Sequence, residues 1–251
     1  MDRESALTSH PLINDLSKNM QSALEKSFEA VKKPGGTEKF MKRKLQIETT
    51  KYEEYNTNVF KCCLNIVKTI DRIWAISVFI SAFPTPNRYA KFGIKKVDWI
   101  NYHNANFAIA KVSLNDMVLL LLNQVFELGL KPQNCKTETV IENKWIKNLP
   151  KVTTAFKALE KATQDSRNHK NLYIHRGITP VSEEIDLLEI FEYGTSIVDF
   201  DIPSEEIKKL FKIALKGISK EIKKELANLE KCIVRVFDAV ENEYYKRLDN
   251  Y

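Results

Sequence analysis

Apolar side chains recur every three to four residues over long stretches of this chain, with few residues between them able to break a helix. From about Ile47 to Phe83 the series Tyr52, Tyr55, Val59, Phe60, Leu64, Val67, Ile70, Ile73 and Trp74 keeps one face of a single long helix apolar. Ala82-Phe83-Pro84-Thr85-Pro86-Asn87 then stops it, because proline lacks the amide proton a helix interior needs and disfavours the helical conformation of the residue before it. Val97 to Leu128 carries Phe107, Ala110, Leu114, Met117 or Val118, Leu121, Val125 and Leu128, close to a repeat of about 3.5 over three heptads, which predicts lengthwise packing against another helix. Gly129 suits the left-handed position after its end, and Lys131-Pro132 closes the element. With seven glycines in 251 residues, the chain lacks the turns that a many-stranded sandwich or barrel needs about every 8 to 12 positions. The expectation is an all-α protein large enough to bury its own core.

The first 31 residues read as an irregular start followed by a moderately amphipathic helix on which Leu16, Met20, Leu24 and Phe28 step by four. Lys32-Lys33-Pro34-Gly35-Gly36, with Lys39, Lys42, Arg43 and Lys44 behind it, is the clearest linker, and its basic run is either a solvated hinge or a contact for phosphates. A second linker reaches about Lys96. A short helix is expected over Glu138 to Lys147, and another from about Lys151 bearing Val152, Phe156, Leu159 and Ala162. After Gly177 and Pro180 the charge turns acidic: Glu183, Glu184, Asp186, Glu189, Glu192, Asp199, Asp201, Glu205 and Glu206 arrive with no Lys or Arg among them. Thr195 to Phe200 is β-prone enough for an isolated strand, and Ser204 before Glu205 and Glu206 reads as the N-cap of a last helix with a kink near Gly217. The chain divides into an N-terminal helical extension over 1–95 and a helical domain over 96–251.

Lys and Arg number 39 against 33 Asp and Glu, a formal charge of +6 that permits a nucleic-acid partner without requiring one. The N-terminus has neither the basic nor the apolar segment of a secretion leader, and the longest charge-free apolar run, Ile73 to Phe83, is 11 residues against the roughly 20 of a membrane span. Cys62 and Cys63 are adjacent while Cys135 and Cys232 are isolated, a spacing that fits neither zinc nor a disulfide framework. Reduced thiols, a cytoplasmic location and no membrane partner are the expectations.

No zinc pattern, phosphate-cradling glycine loop or Gly-x-Ser-x-Gly elbow occurs, so no metal and no cofactor is expected. What remains is the polar cluster Asp165-Ser166-Arg167-Asn168-His169-Lys170-Asn171-Leu172-Tyr173-Ile174-His175-Arg176-Gly177, which holds two of the four histidines. On a continuous helix Arg167, Asn171 and His175 follow one ridge at i, i+4 and i+8. Those groups suit attack of an RNA 2′-hydroxyl on its neighbouring phosphate: an imidazole exchanges a proton near neutrality, with a reference pKa of about 6.5. A guanidinium meets the charge on the phosphoryl oxygens bidentately. The same residues can instead cap the carbonyls of a helix end or face water, with Gly177 as the stop. Tyr102, His103 and Asn106 read as a solvated first turn, with His103 an alternative contributor to the cleft. Asn115 or Asp116 interrupts an apolar run and, if buried, needs a partner, for which Arg167 or His175 is a candidate. Tyr173 and Phe107 read as core rather than as platforms for bases.

Arg167-Asn168 and Asn171-Leu172-Tyr173-Ile174-His175-Arg176-Gly177, after a long helix containing Asn115-Asp116, resemble the HEPN superfamily, and in particular its larger bacterial branches with extra N-terminal helices. The resemblance covers roughly residues 97 to 251 and implies a HEPN-like helical bundle preceded by N-terminal helices. It implies that Arg167 and His175 of two subunits meet at a homodimer interface and cleave RNA without metal, with Asn168, Lys170, Asn171 and Arg176 binding substrate. The family pattern separates its arginine from its histidine by about four to six residues. Here seven stand between Arg167 and His175, whereas Lys170 lies at the four-residue spacing but is a lysine. Two readings follow: an RNA-binding protein and endoribonuclease of a bacterial toxin or defence system, with an antitoxin as candidate partner, or a non-catalytic helical module that binds a partner or a nucleotide.

Overall fold

Helix is the regular structure throughout the residues that the computed structural model describes: 5–42, 47–82, 91–176, 185, 188–190, 193 and 204–251, with the backbone alone described for 168–176 and 204. In chain order the elements are α1 (Pro11–Asn19), α2 (Gln21–Lys32), α3 (Gly36–Met41), α4 (Lys51–Ser81), α5 (Lys96–Val125), a 3-10 turn (Pro132–Asn134), α6 (Thr137–Val140), α7 (Pro150–Arg176) and α8 (Ser204–Leu248). The chain separates into two compact units, Met1–Val67 with Asp116–Ala158 and Cys232–Tyr251, and Lys68–Asn115 with Leu159–Lys231. Each of the four long helices therefore contributes residues to both. The all-α expectation holds among the described residues; the β-prone stretch from Thr195 to Phe200 lies outside them.

In the first unit, α1 begins where His10 accepts the Leu12 amide at Nδ1 (3.2 Å), and Pro11 at its first position forfeits no bond. That acceptance leaves the proton on Nε2, which donates to Asp238 of α8 at 3.1 Å. The single helix expected over the first 31 residues is two, divided at Met20. The stretch read as a linker around Lys39 and Lys42 contains a further helix, α3. Its turn is demanding: Gly35 is left-handed at φ 72°, and a Cβ on Gly36 would lie 2.3 Å from the Ala30 carbonyl oxygen.

Helix α4 opens with a reciprocal cap. Thr50 Oγ1 accepts from the Glu53 amide (3.1 Å) and Glu53 Oε2 accepts from the Thr50 amide (2.9 Å). The buried Glu53 carboxylate also accepts from Lys26 (2.7 and 2.8 Å) and Ser22 (3.0 Å) of α2. The Lys26 ammonium, and then the Thr50 amide, hold its pKa down to about 2. Deeper in this unit the fully buried Tyr244 donates to Asn56 Oδ1 (2.5 Å) and accepts from Asn19 Nδ2 (3.0 Å), while its ring stacks on Tyr55 at 5.9 Å. At the end of α5, Asn123 grips both the amide and the carbonyl of Leu130 at 3.0 Å, and Gly129 takes the expected left-handed conformation at φ 68°. The helix expected to reach Lys147 ends at Val140, because Asn143 turns its side chain back to accept the Trp145 amide (3.1 Å).

In the second unit Val97 and Ile100 of α5 pack with Ile185, Leu188 and Phe211, flanked by Ile207, Ala214, Leu215 and Ile218. Ser219 of α8 donates to the Ser77 carbonyl of α4 at 2.8 Å, and Trp99 Nε1 to the Phe79 carbonyl at 3.0 Å. The heptad reading of α5 describes one seam, but the helix is buried on most sides, with Ile100, Ala105, Ala108, Val112, Leu114, Leu119 and Leu122 all inside. Its length and hydropathy would also suit a membrane crossing, yet 67% of its most apolar window is buried within the protein, as in the core helix of a globular unit. Helix α8 begins at Ser204 with Glu205 and Glu206 in its first turn, as expected, and passes Gly217 unbroken.

Two outcomes follow from these contacts. Tyr244→Phe strands the fully buried Asn56 and takes a partner from the half-buried Asn19, and should lower stability by about 1–3 kcal/mol in denaturant titration. The depressed Glu53 pKa means that its stabilising contribution is complete above pH 4.5 and is lost as pH falls toward about 2. The stability difference between the parent and Glu53→Gln should accordingly stay level from neutral pH down to about 5 and shrink below it.

Candidate functional site

Helix α7 starts with Pro150 at its first position, buries Val152, Ala155, Phe156, Leu159, Thr163 and Ser166, and continues without interruption to Arg176. Arg167, Asn168, Lys170, Asn171, His175 and Arg176 therefore all stand on its last three turns. At about 100° and 1.5 Å per residue, Arg167, Asn171 and His175 step round by about 40° each, which places the first and last about 12 Å apart along the axis. Lys170 is about 7.5 Å from His175 by the same measure but about 140° round the helix. The side chains of Asn168, Lys170, Asn171, Tyr173, His175 and Arg176 lie outside the described residues.

Arg167 is described. Its side chain is 50% exposed and forms a loose ion pair with Glu160, two turns back, at 3.9 Å. That separation exceeds a hydrogen bond, and a surface pair of this kind is weak, so a phosphate can compete for the guanidinium. Four residues before it, Thr163 Oγ1 accepts from Asn115 Nδ2 of α5 at 2.5 Å. Among the described residues the partner of Asn115 is therefore Thr163 and not Arg167; the side chain of His175 lies outside them. Its neighbour Asp116 is exposed.

His103 also differs from its reading as part of a solvated turn. It is 7% exposed, with its ring 4.4 Å from Trp99, 5.3 Å from Tyr102 and 5.5 Å from Phe79. Trp99 lies one turn before it on α5, so helical spacing itself supplies the contact. Nε2 has no partner, and burial lowers the pKa of the ring, which favours the neutral form. Phe107 is core, as expected. Within the acidic stretch two described residues meet the start of α5: Glu189 accepts from Asn101 (2.5 Å), and Tyr193 donates to Asp98 (2.8 Å) beneath the Lys95 ammonium, 3.8 Å from its ring.

Helix α8 carries a feature that its apolar periodicity hides. Lys209, Lys212, Lys216, Lys220, Lys223, Lys224 and Lys231 are exposed and fall within a sector of about 120° along about 33 Å of helix. Opposite them, Ile218, Ile222, Leu229 and the Glu225 that pairs with buried Lys111 face the protein. None of the seven lysines is paired with a carboxylate among the described residues, whereas Lys208, off this sector, bonds Glu205 at 2.6 Å. Like charges three and four residues apart repel by a few tenths of a kcal/mol per pair, so the ridge is a standing cost to the helix. The signal was present as lysines at i, i+3 and i+4 spacing.

The four cysteines are free, and burial raises the pKa of each thiol, that of Cys62 to about 11, so none is an activated nucleophile. Among the described residues no group of three or more His, Cys, Asp and Glu side chains is placed to hold a metal.

Searches of the curated proteins and of the solved structures return no match to the chain. The family model described as HEPN_Cthe2314:-like HEPN matches residues 50–242, a span that takes in α4, α5, α7 with all of its polar end, and most of α8, and leaves α1 to α3 outside. That span is more than half of the chain, and the protein accordingly belongs to the HEPN_Cthe2314-like family of HEPN domains.

Proposed function

We propose that this HEPN-type chain binds RNA and cleaves it without a metal, through Arg167 and His175. The observation that carries the reading is the unbroken course of α7 through both residues, with the guanidinium of Arg167 half exposed and only loosely paired, at 3.9 Å, with the Glu160 carboxylate. The reaction balances with groups of this kind alone. An imidazole takes the 2′-hydroxyl proton, the O2′–P bond forms, the P–O5′ bond breaks, and the departing oxygen receives a proton, leaving a cyclic phosphate and a 5′-hydroxyl. A guanidinium fork bound to the non-bridging oxygens stabilises the charge that builds on them.

An axial separation of about 12 Å makes it hard for Arg167 and His175 of one helix to hold the same phosphate. A homodimer that sets the polar ends of two α7 helices together removes the difficulty, Arg167 of one subunit serving His175 of the other. Lys170 and Asn171 would then position the substrate, with Asn168 and Arg176 beside them. A cytoplasmic toxin or defence protein, held in check by an antitoxin, is the setting this chemistry suits. A second reading is favoured by one specific fact: the residue at the four-residue spacing before His175 is Lys170, a point charge without the arginine fork, which suits a module that binds RNA or a nucleotide and does not cut it.

Purified protein incubated with mixed RNA in EDTA separates the two. The endonuclease reading expects cleavage that falls by about 10²–10⁴-fold in His175→Ala and by about 10²-fold or more in Arg167→Ala, with RNA binding retained. Binding without cleavage by the parent overturns the catalytic reading and leaves the binding module. Light scattering should give the mass of a dimer, and mixing the two single variants should restore part of the activity if the subunits complement one another.

A further inference from the structure

We infer that the lysine ridge of α8 is a binding track for the phosphodiester backbone of single-stranded RNA. The inference rests on the RNA-binding half of the function proposed above and is independent of its catalytic half. Seven exposed ammonium groups, Lys209, Lys212, Lys216, Lys220, Lys223, Lys224 and Lys231, share one face, where an ordinary solvated helix interleaves acids at i±4.

Two of the acids of this stretch are paired elsewhere, Glu205 with Lys208 and Glu225 with Lys111, and Glu230 has a contact of its own. The exposed Glu206 and Glu221 stand at the margin of the ridge, three residues from Lys209 and Lys224, and pair with neither. The positive charge therefore has no partner among the described residues, and it extends in a line.

A line of positive charge about 33 Å long matches a polymer that carries one negative charge per repeat. It matches a folded acidic protein less well, since carboxylates there are scattered. An anionic bilayer would need a broad apolar face turned outward beside the lysines; only Leu210 and Ile213 are exposed there, while Phe211, Ile222, Leu226 and Leu229 are buried in the protein. No stacking aromatic lies on the ridge, so the track would read backbone charge and not base identity. It would hold RNA with little sequence preference and leave selection to other groups.

The test is fluorescence anisotropy with an unstructured labelled RNA oligonucleotide, across a salt series, on the full chain. Two charge-matched triple variants are compared: Lys212→Glu/Lys216→Glu/Lys220→Glu on the ridge, and Lys131→Glu/Lys136→Glu/Lys147→Glu on exposed positions elsewhere. The ridge variant should bind at least tenfold more weakly near physiological salt, and its log–log salt slope should be shallower by about 2, because three phosphate contacts at about 0.7 each are lost. The distant variant should stay within about threefold of the parent. A ridge triple to Gln, which removes charge without adding the opposite sign, should show the same order, and it decides the matter if the Glu variant does not fold.

Equal losses in both Glu triples would reduce the effect to net charge and overturn the track. Unchanged binding by the ridge variants, with a parent that binds RNA, overturns it while the RNA-binding reading stands. A parent that binds phosphatidylserine vesicles but no RNA overturns both.

Discussion

Lys111 lies buried on α5 and meets Glu225 of α8, and this ion pair limits how those two helices can lie together. An ammonium removed from water costs several kcal/mol unless a carboxylate answers it. Apolar surfaces tolerate sliding by a turn, whereas a slip here would leave one charge stranded. One turn along α5 the buried amide of Asn115 adds the same kind of demand on Thr163 of α7. In the second unit the register of three helices is thus constrained by these polar pairs.

Both candidate surfaces inherit their orientation from these contacts. Arg167 stands one turn after Thr163, about 40° further round α7, and is half exposed. With Glu225 turned inward, the lysines on the opposite side of α8 must face solvent. An exposed guanidinium and an uncompensated line of ammonium groups in one unit make a coherent electrostatic picture for a polyanionic ligand. The acidic block that would oppose it is partly spent on α5, through Glu189 with Asn101 and through Ile185 and Leu188 in the core.

Much of the fold was legible in the sequence because it depends on local spacing. The apolar period marks α4, α5, α7 and α8, the prolines at Pro84 and Pro86 mark an end, and Gly129 marks the left-handed cap after α5. The misreadings share a cause. α3 forms in a run rich in lysine and glycine because the Gly35-Gly36 turn lets it fold back on α2, a tertiary opportunity that composition does not announce. His103 looked solvated because polar residues surround it in sequence, while in space Phe79, twenty-four positions earlier, joins Trp99 in closing over its ring.

By itself the sequence determined that the chain is helical and that Arg167, Asn171 and His175 ride one helix, since both depend only on backbone conformation and residue spacing along a few turns. Which residue answers Asn115, which imidazole is buried, and which lysines remain without a carboxylate were decided by tertiary structure alone. Those outcomes depend on the segment that packs opposite, and desolvation and charge pairing act between groups that are close in space whatever their distance along the chain.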